Sequence, residues 1–228
     1  MQAKNRDLAA FFLDFVLDVT YHLNKMVSDH KQTIRSKLMR KSKVEAADTR
    51  RRIVEAAARE FRLHGIQATG LNAVMLPLGL TQGGFYRHFS SKDQLVAEAC
   101  SQAMTEVIDG LEAAARHGDA DKGLAAIVNA YVSESHRDTQ TGGCPLVAMA
   151  SELARADEQT RAAATQGFED LVDVLAKRMV GKPPNAARSS AVFAVAAMIG
   201  AVTMSRVVED SDASTAILED VKQHLGAI

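Results

Sequence analysis

Apolar residues recur along this chain at helical spacing, and no segment shows the strict alternation expected of a half-buried strand. Thr49 to Leu63 places Ile53, Ala57 and Phe61 at i, i+4 and i+8, and His64-Gly65 closes that helix. Leu71, Val74, Met75 and Leu78 fall at i, i+3, i+4 and i+7, one apolar face of a short second helix. Gly79 then supplies a tight turn, and Thr81 stands where the N-cap of a third helix belongs. That third segment, Gln82 to Phe89, buries Phe85 and Phe89 and turns small, hydrogen-bonding residues outward. Ser91-Lys92-Asp93-Gln94 is a capping box opening the next helix.

Beyond Lys92 the pattern predicts helices alone. Gln94 to about Ala115 carries Leu95, Ala99, Met104, Ile108 and Leu111 along its inner side, and His117-Gly118-Asp119 breaks it. Lys122 to Glu134 follows, then a polar loop from His136 to Gly143 and a short apolar stretch from Cys144 to Ala156. Helices over 158–180 and 186–208 are separated by Gly181-Lys182-Pro183-Pro184, and a last helix covers about Ala213 to Leu225. The fold class is therefore all-α: an N-terminal three-helix helix-turn-helix domain over 39–92, joined to a larger helical domain over 93–228. Residues 1–38 form an N-terminal extension with two open readings. Ala9 to Leu17 suits an amphipathic helix; alternatively, Met39 is the true start and the leader is translated upstream sequence.

Charge sharpens this division. The net charge of the 228 residues is −1, yet 39–92 holds ten Lys or Arg against four Asp or Glu, whereas 93–228 holds eleven against twenty. A basic segment beside an acidic remainder fits a head that faces DNA on a separate body. Hydrophobic content of 47% with only 5% aromatics points to a core of Ala, Leu, Val and Met. Cys100 and Cys144 are too few for a disulfide framework and too far apart for a zinc motif. Leu8 to Val19 is interrupted by Asp14 and Asp18 and is too short to span a bilayer, so a cytoplasmic protein without a membrane partner is expected. No HExxH, GxSxG, P-loop or paired-carboxylate constellation occurs, so no catalytic residue, metal or cofactor is expected.

The third helix carries the chemistry of sequence readout. Gln82 can pair with adenine through N6 and N7, and Thr81 can donate to a phosphate or meet a thymine methyl. Gly83 and Gly84 let backbone approach DNA closely. Lys92, at a helix N-terminus, stands where N–H groups and the dipole favour a phosphate. Arg50, Arg51 and Arg52, with Arg40, Lys41 and Lys43, form a basic arm suited to following phosphates or entering the minor groove; a solvated face is the plainer reading.

The run GLTQGGFYRHFSSKDQL, preceded by TRRRIVEAAAREFRLHG, resembles the DNA-binding domain of the TetR family of bacterial transcription regulators. The Gly-Phe-Tyr-Arg-His-Phe core followed by Ser-Lys is a specific signature, and the likeness covers roughly 45–98. It implies that Tyr86 and His88 touch phosphates, that Arg87 reaches a base edge or phosphate, and that Lys92 pins the DNA backbone. It also implies repression, and a helical body used for ligand binding and dimerisation. One departure is Pro77 in the first helix of the motif, where a helix former is usual. Proline there removes the hydrogen bond to Ala73 and distorts the last turn.

In the body, Ala191, Ala194, Ala197, Gly200 and Ala201 allow close helix approach, while Val195, Met198, Ile199 and Val202 supply apolar surface. The 158–180 and 186–208 helices are thus the expected homodimer interface. A C2 dimer would set two recognition helices one DNA turn (~34 Å) apart on a palindromic double-stranded operator. Met104, Ile108, Tyr131, Met149 and Phe168, with Glu152 or His136 as polar anchor, are the expected lining of a site for a small-molecule effector. Cys144 follows Gly142-Gly143 and precedes Pro145 at a helix start, where the positive helix end favours thiolate and makes an oxidant or electrophile sensor one alternative. A second alternative is an all-helical ligand-binding or interaction module whose head has lost DNA binding.

Overall fold

The computed structural model describes residues 25–26, 43–116 and 120–227. The chain divides into two units, 1–49 and 50–228. Within the first, the described residues are helical, and the Thr49 hydroxyl donates to the Glu45 carbonyl at 2.9 Å. The reading of Ala9 to Leu17 as an amphipathic helix, and the basic residues Arg40 and Lys41, lie outside the described residues.

The second unit starts with helix α1 over 50–64, ended by Gly65 in the left-handed region at φ 83°. Helix α2 spans Leu71–Met75 and runs into a 3-10 turn over Leu76–Leu78. Pro77 explains that change of winding, since its ring cannot sit in a continuing α-helix. Gly79 turns the chain at φ 71°, and helix α3 follows over Gln82–Phe85, with the Thr81 hydroxyl accepting from the Gly84 N–H at 3.3 Å. This helix stops four residues short of the expected Phe89, because Gly83 and Gly84 are poor helix formers and one turn offers few internal bonds.

Helix α4 spans Lys92–Ala115, with its Ser91 cap accepting from the Gln94 N–H. The Gln94 side chain reaches back one residue further than a standard capping box, taking the N–H and hydroxyl of Ser90. Then come α5 (Ala120–Tyr131), α6 (Glu134–Arg137), α7 (Pro145–Ala148), α8 (Ala150–Leu153), α9 (Glu158–Ala176), α10 (Pro184–Val207) and α11 (Ser211–Leu225). The apolar stretch after Cys144 is two short helices broken at Met149, and part of the expected polar loop is the single turn α6. Pro184 begins α10 as its first residue, the position where a missing N–H costs nothing. No described residue lies in a strand.

One apolar core runs through the unit. Ile53, Ala57, Phe61, Val74, Met75, Phe85 and Phe89 close the first three helices onto Leu95, Val96 and Ala99 of α4. The rest of α4 packs on α5 and α9, and α10 packs on α9 and α11. Gly167 of α9 permits the α4 approach, because a Cβ there would come within 2.5 Å of Met104. By length and composition α10 is apolar enough to cross a membrane. In this fold Ala191, Ala194, Val195, Met198, Ala201 and Val202 are buried within the protomer, so these residues do not supply free surface. The large apolar residues that α10 exposes are instead Val192, Phe193, Met204 and Val207.

Leu171 of α9 is fully buried. Leu171→Ala should destabilise the protein by about 2–5 kcal/mol through lost burial and a residual cavity, read as a lower denaturant midpoint with an unchanged slope.

Candidate nucleic-acid interface

The α2–α3 region is held from beneath by a ring cluster. Phe85 stacks on Phe89 at 5.3 Å between centroids and meets Tyr86 edge-on at 5.1 Å. Both phenylalanines are buried, which fixes the outward direction of the residues between them. Thr81, Gln82, Gly83, Tyr86 and Arg87 are exposed on that outer side, Gly84 and His88 are half-buried, and Tyr86 keeps 64% of its surface. The exposed set offers a phenol, a guanidinium, an amide and a hydroxyl, together with backbone that no side chain covers at Gly83.

Two residues expected at the phosphates are occupied elsewhere. The Arg50 guanidinium forms an ion pair with Glu98 of α4 at 2.5 Å, donates to the His88 carbonyl at 3.3 Å and lies 4.5 Å from the Phe89 ring centre. It thus ties α1, the end of the recognition segment and α4 together. The Lys92 amine donates to the Ile66 carbonyl at 2.6 Å and sits 5.9 Å from the Phe61 ring centre. Lys92 does stand at the first turn of α4, and there its amine also holds the α1–α2 loop. Arg51 is exposed and pairs with Glu55 one turn on, at 2.6 Å.

The expected effector residues do not converge on one site. Met104 and Met149 are core, Ile108 and Phe168 are half-buried against it, and Tyr131 and His136 line a cleft of about 540 Å³. Glu152 is outside that cleft: its carboxylate accepts the Ile66 N–H at 3.0 Å and the Gln67 N–H at 2.8 Å, clasping the α1–α2 loop. Cys144 does cap α7 ahead of Pro145, but it is fully buried, and burial pushes its thiol up rather than down. A four-residue helix has too weak an N-terminus to offset that loss of hydration, so both burial and helix length work against the thiolate that a sensor needs. Cys100 is likewise pushed up to about 11, chiefly by burial.

Sequence reasoning missed Arg62 and Arg206. Arg206 donates to the carbonyls of His136 (2.8 Å), Arg137 (3.0 Å) and Gly142 (3.2 Å), knitting together the chain between α6 and α7. A lone arginine ending a long apolar run was the available signal. The same loop fixes His136. Its Nε2 accepts from the Cys144 N–H at 3.0 Å, so Nδ1 must carry the hydrogen and donate to the Tyr131 carbonyl at 2.7 Å. Both ring nitrogens are used by the neutral form.

A short three-helix head with an exposed third segment, on a body of long packed helices, defines a helix-turn-helix regulator of transcription. The description "Bacterial regulatory proteins, tetR family" matches residues 53–99, and "Transcriptional regulator LmrA/YxaF-like, C-terminal domain" matches 120–224. The chain belongs to the TetR family and is a DNA-binding transcription regulator. It is similar to the HTH-type transcriptional regulator LmrA of Bacillus subtilis (strain 168), 26% identical over 171 residues, covering 72% of this chain and 89% of that one. A probable acrEF/envCD operon repressor of Escherichia coli (strain K12) is 36% identical over 61 residues, 27% of this chain and 28% of that one. Its fold is like that of a TetR-family regulator from Cytophaga hutchinsonii, with a TM-score of 0.69, 20% identity, and coverage of 81% of this chain and 96% of that one.

The His136 geometry sets a pH dependence. Burial chiefly, with the nearby Arg206 charge adding to it, lowers the His136 pKa below its usual 6.5, against the pull of the Tyr131 carbonyl. The unfolded chain therefore binds this proton more readily, and stability should fall as pH drops below about 6.5 until the folded histidine also protonates. His136→Ala should lower stability at pH 8 and remove this part of the slope, measured by denaturant titration between pH 8 and pH 5.

Proposed function

We propose that the protein is a homodimeric repressor that reads a palindromic operator through the outer face of the α3 segment and leaves it when a small molecule binds the body. The observation that carries this reading is the exposed set Thr81, Gln82, Tyr86 and Arg87, mounted over the Phe85–Phe89 stack beside the uncovered backbone at Gly83. Gln82 and Arg87 are the base-reading candidates. Tyr86 is a phosphate contact, Thr81 and His88 serve at the edges, and Gly83 and Gly84 allow close approach. Arg51 is kept as a phosphate contact on α1; Arg50 and Lys92 are assigned to holding the head in shape. The basic domain is taken as 39–92 and the effector-binding, dimerising body as 93–228. Repression is supported by the likeness of the head to the probable acrEF/envCD operon repressor of Escherichia coli.

The dimer surface is the outer face of α10. Phe193, Gly200, Met204 and Val207 follow one another at helical spacing on it, and Phe193 and Val207 keep 62% and 65% of their surface. Gly200 leaves open space at its Cβ position, which suits a facing helix. The outer side of α9 is more polar, with Arg188 of α10 bridging to Asp173 and Glu169, so α9 frames the interface with charge. Such a dimer would set two heads for symmetric half-sites.

The deciding experiment is selection of fragments of the source genome by the purified protein, with footprinting of enriched DNA at physiological salt. A protected palindrome is expected, with Gln82→Ala relaxing preference at one position per half-site by about 1–3 kcal/mol. No enrichment at any salt would overturn the reading. Phe193→Glu should convert the dimer to monomer in sedimentation velocity while circular dichroism stays helical; a persisting dimer would remove α10 from the interface.

A further inference from the structure

The cleft of about 540 Å³ is walled by α1, α4, α5–α6 and the 139–144 turn, so it touches both the last turn of the head's first helix and the body. Its apolar wall includes Val107, Leu111, Ala130 and Cys144, and the two charged residues lining it, Arg62 and Glu106, pair with each other at 3.3 Å. His136 is held neutral by its two hydrogen bonds. An ion entering here would lose hydration and find no free counter-charge. An uncharged guest would lose little.

Beside the hydroxyls of Ser133, Ser135, Thr139 and Thr141, Tyr131 is the buried polar side chain of this cleft. The residue is only 2% exposed, and its hydroxyl has no hydrogen-bond partner among the described residues. It lies near the Cys144 sulfur, a weak acceptor, and burial keeps it protonated. A buried phenol O–H with only a thiol sulfur beside it is poorly satisfied, and a ligand oxygen that reaches it by displacing the 142–144 segment would recover that cost.

The cleft also has a lever to the head. Arg62, with 8% of its side chain exposed, donates from Nη1 to the Gly143 carbonyl at 3.1 Å and from Nε to the Ala58 carbonyl at 2.8 Å. Gly142, at φ 79°, lies so close that a Cβ there would come within 2.4 Å of Arg62. A guest that displaces the 142–144 segment must therefore move the end of α1.

We propose that this cleft is the effector site, that it takes an uncharged small molecule whose carbonyl or ether oxygen accepts a hydrogen bond from Tyr131 Oη, and that Arg62 carries its occupancy to α1. This rests on the reading of the protein as an effector-released regulator, and it goes further by naming the ligand chemistry and the route. The volume suits a guest of two or three rings.

The probe is 6-propionyl-2-dimethylaminonaphthalene, a neutral naphthyl ketone whose emission shifts to the blue on leaving water. Saturable blue-shifted emission is expected from the wild-type protein without DNA. Tyr131→Phe should weaken binding roughly five- to tenfold, the worth of one hydrogen bond. Gly110→Leu should abolish it: an added Cβ at Gly110 meets nothing within 4 Å, so the side chain fills the cleft without strain. Probe binding should also change amide exchange over residues 61–67, and Arg62→Met should remove that change while leaving binding intact. No saturable emission from wild type overturns the site, and equal affinity in Tyr131→Phe overturns the hydrogen bond. Binding that survives in Gly110→Leu places the probe elsewhere, such as on α10, and overturns the location. An exchange response that persists in Arg62→Met overturns the route. Operator selection by the unliganded protein fails or succeeds independently of all four, so the two readings are tested separately.

Discussion

Helix α4 imposes the constraint on which the rest of residues 50–228 depends, because its buried residues belong at one end to the head and at the other to the body. Leu95, Val96 and Ala99 complete the core of Phe61, Phe85 and Phe89, while Ala103, Met104 and Leu111 continue along the same helix toward α5 and α9. A rigid helix of 24 residues shared in this way makes any tilt of its body end felt at the head. Close packing favours discrete rearrangement over gradual yielding. Polar links reinforce the same junction: Arg50 with Glu98, Lys92 with the Ile66 carbonyl, and Glu152 with the N–H groups of Ile66 and Gln67.

Those links turn two cations of the basic segment toward the fold itself. Arg50 and Lys92 sit in a basic segment, yet each finds an acceptor or an aromatic face within its own fold. The α1–α2 loop is irregular backbone whose polar groups need partners, and Glu152 and Lys92 satisfy them from the body and from α4. Tyr86 and Arg87 find no such shelter, because the Phe85–Phe89 stack takes the inner side and leaves them outside. Arg87 thus stays on the outer side of the α3 turn, while Arg50 and Lys92 reach inward from α1 and α4.

The loop between α6 and α7 shows the same economy. Gly142 and Gly143 adopt left-handed φ values and lie against Arg62 and His136, where any side chain would collide. Arg206 gathers three carbonyls of this irregular stretch, and His136 uses both ring nitrogens to close it over Tyr131 and Cys144. A segment without regular internal bonds is thereby held in one shape by side chains from α6 and α10.

The helices, their caps at Thr81 and Ser91, the turn at Gly79, the interruption at Pro77 and the burial of Phe85 and Phe89 were legible in the chain itself. They depend on spacing, φ freedom and missing N–H groups, all of which act within a few residues. The length of α3 departs from its apolar pattern, since the penalty of two adjacent glycines in a single turn outweighs that pattern. What only the tertiary structure decided was the partner of each long polar side chain: Glu152 on the α1–α2 loop, Lys92 on the Ile66 carbonyl, Arg206 on the α6–α7 loop. It also decided that Cys144 is buried and that α10 exposes Phe193, Met204 and Val207 while turning Ala191, Ala194 and Ala201 inward. Hydration and hydrogen-bond partners depend on residues tens of positions away, and local periodicity carries no record of which ones will arrive.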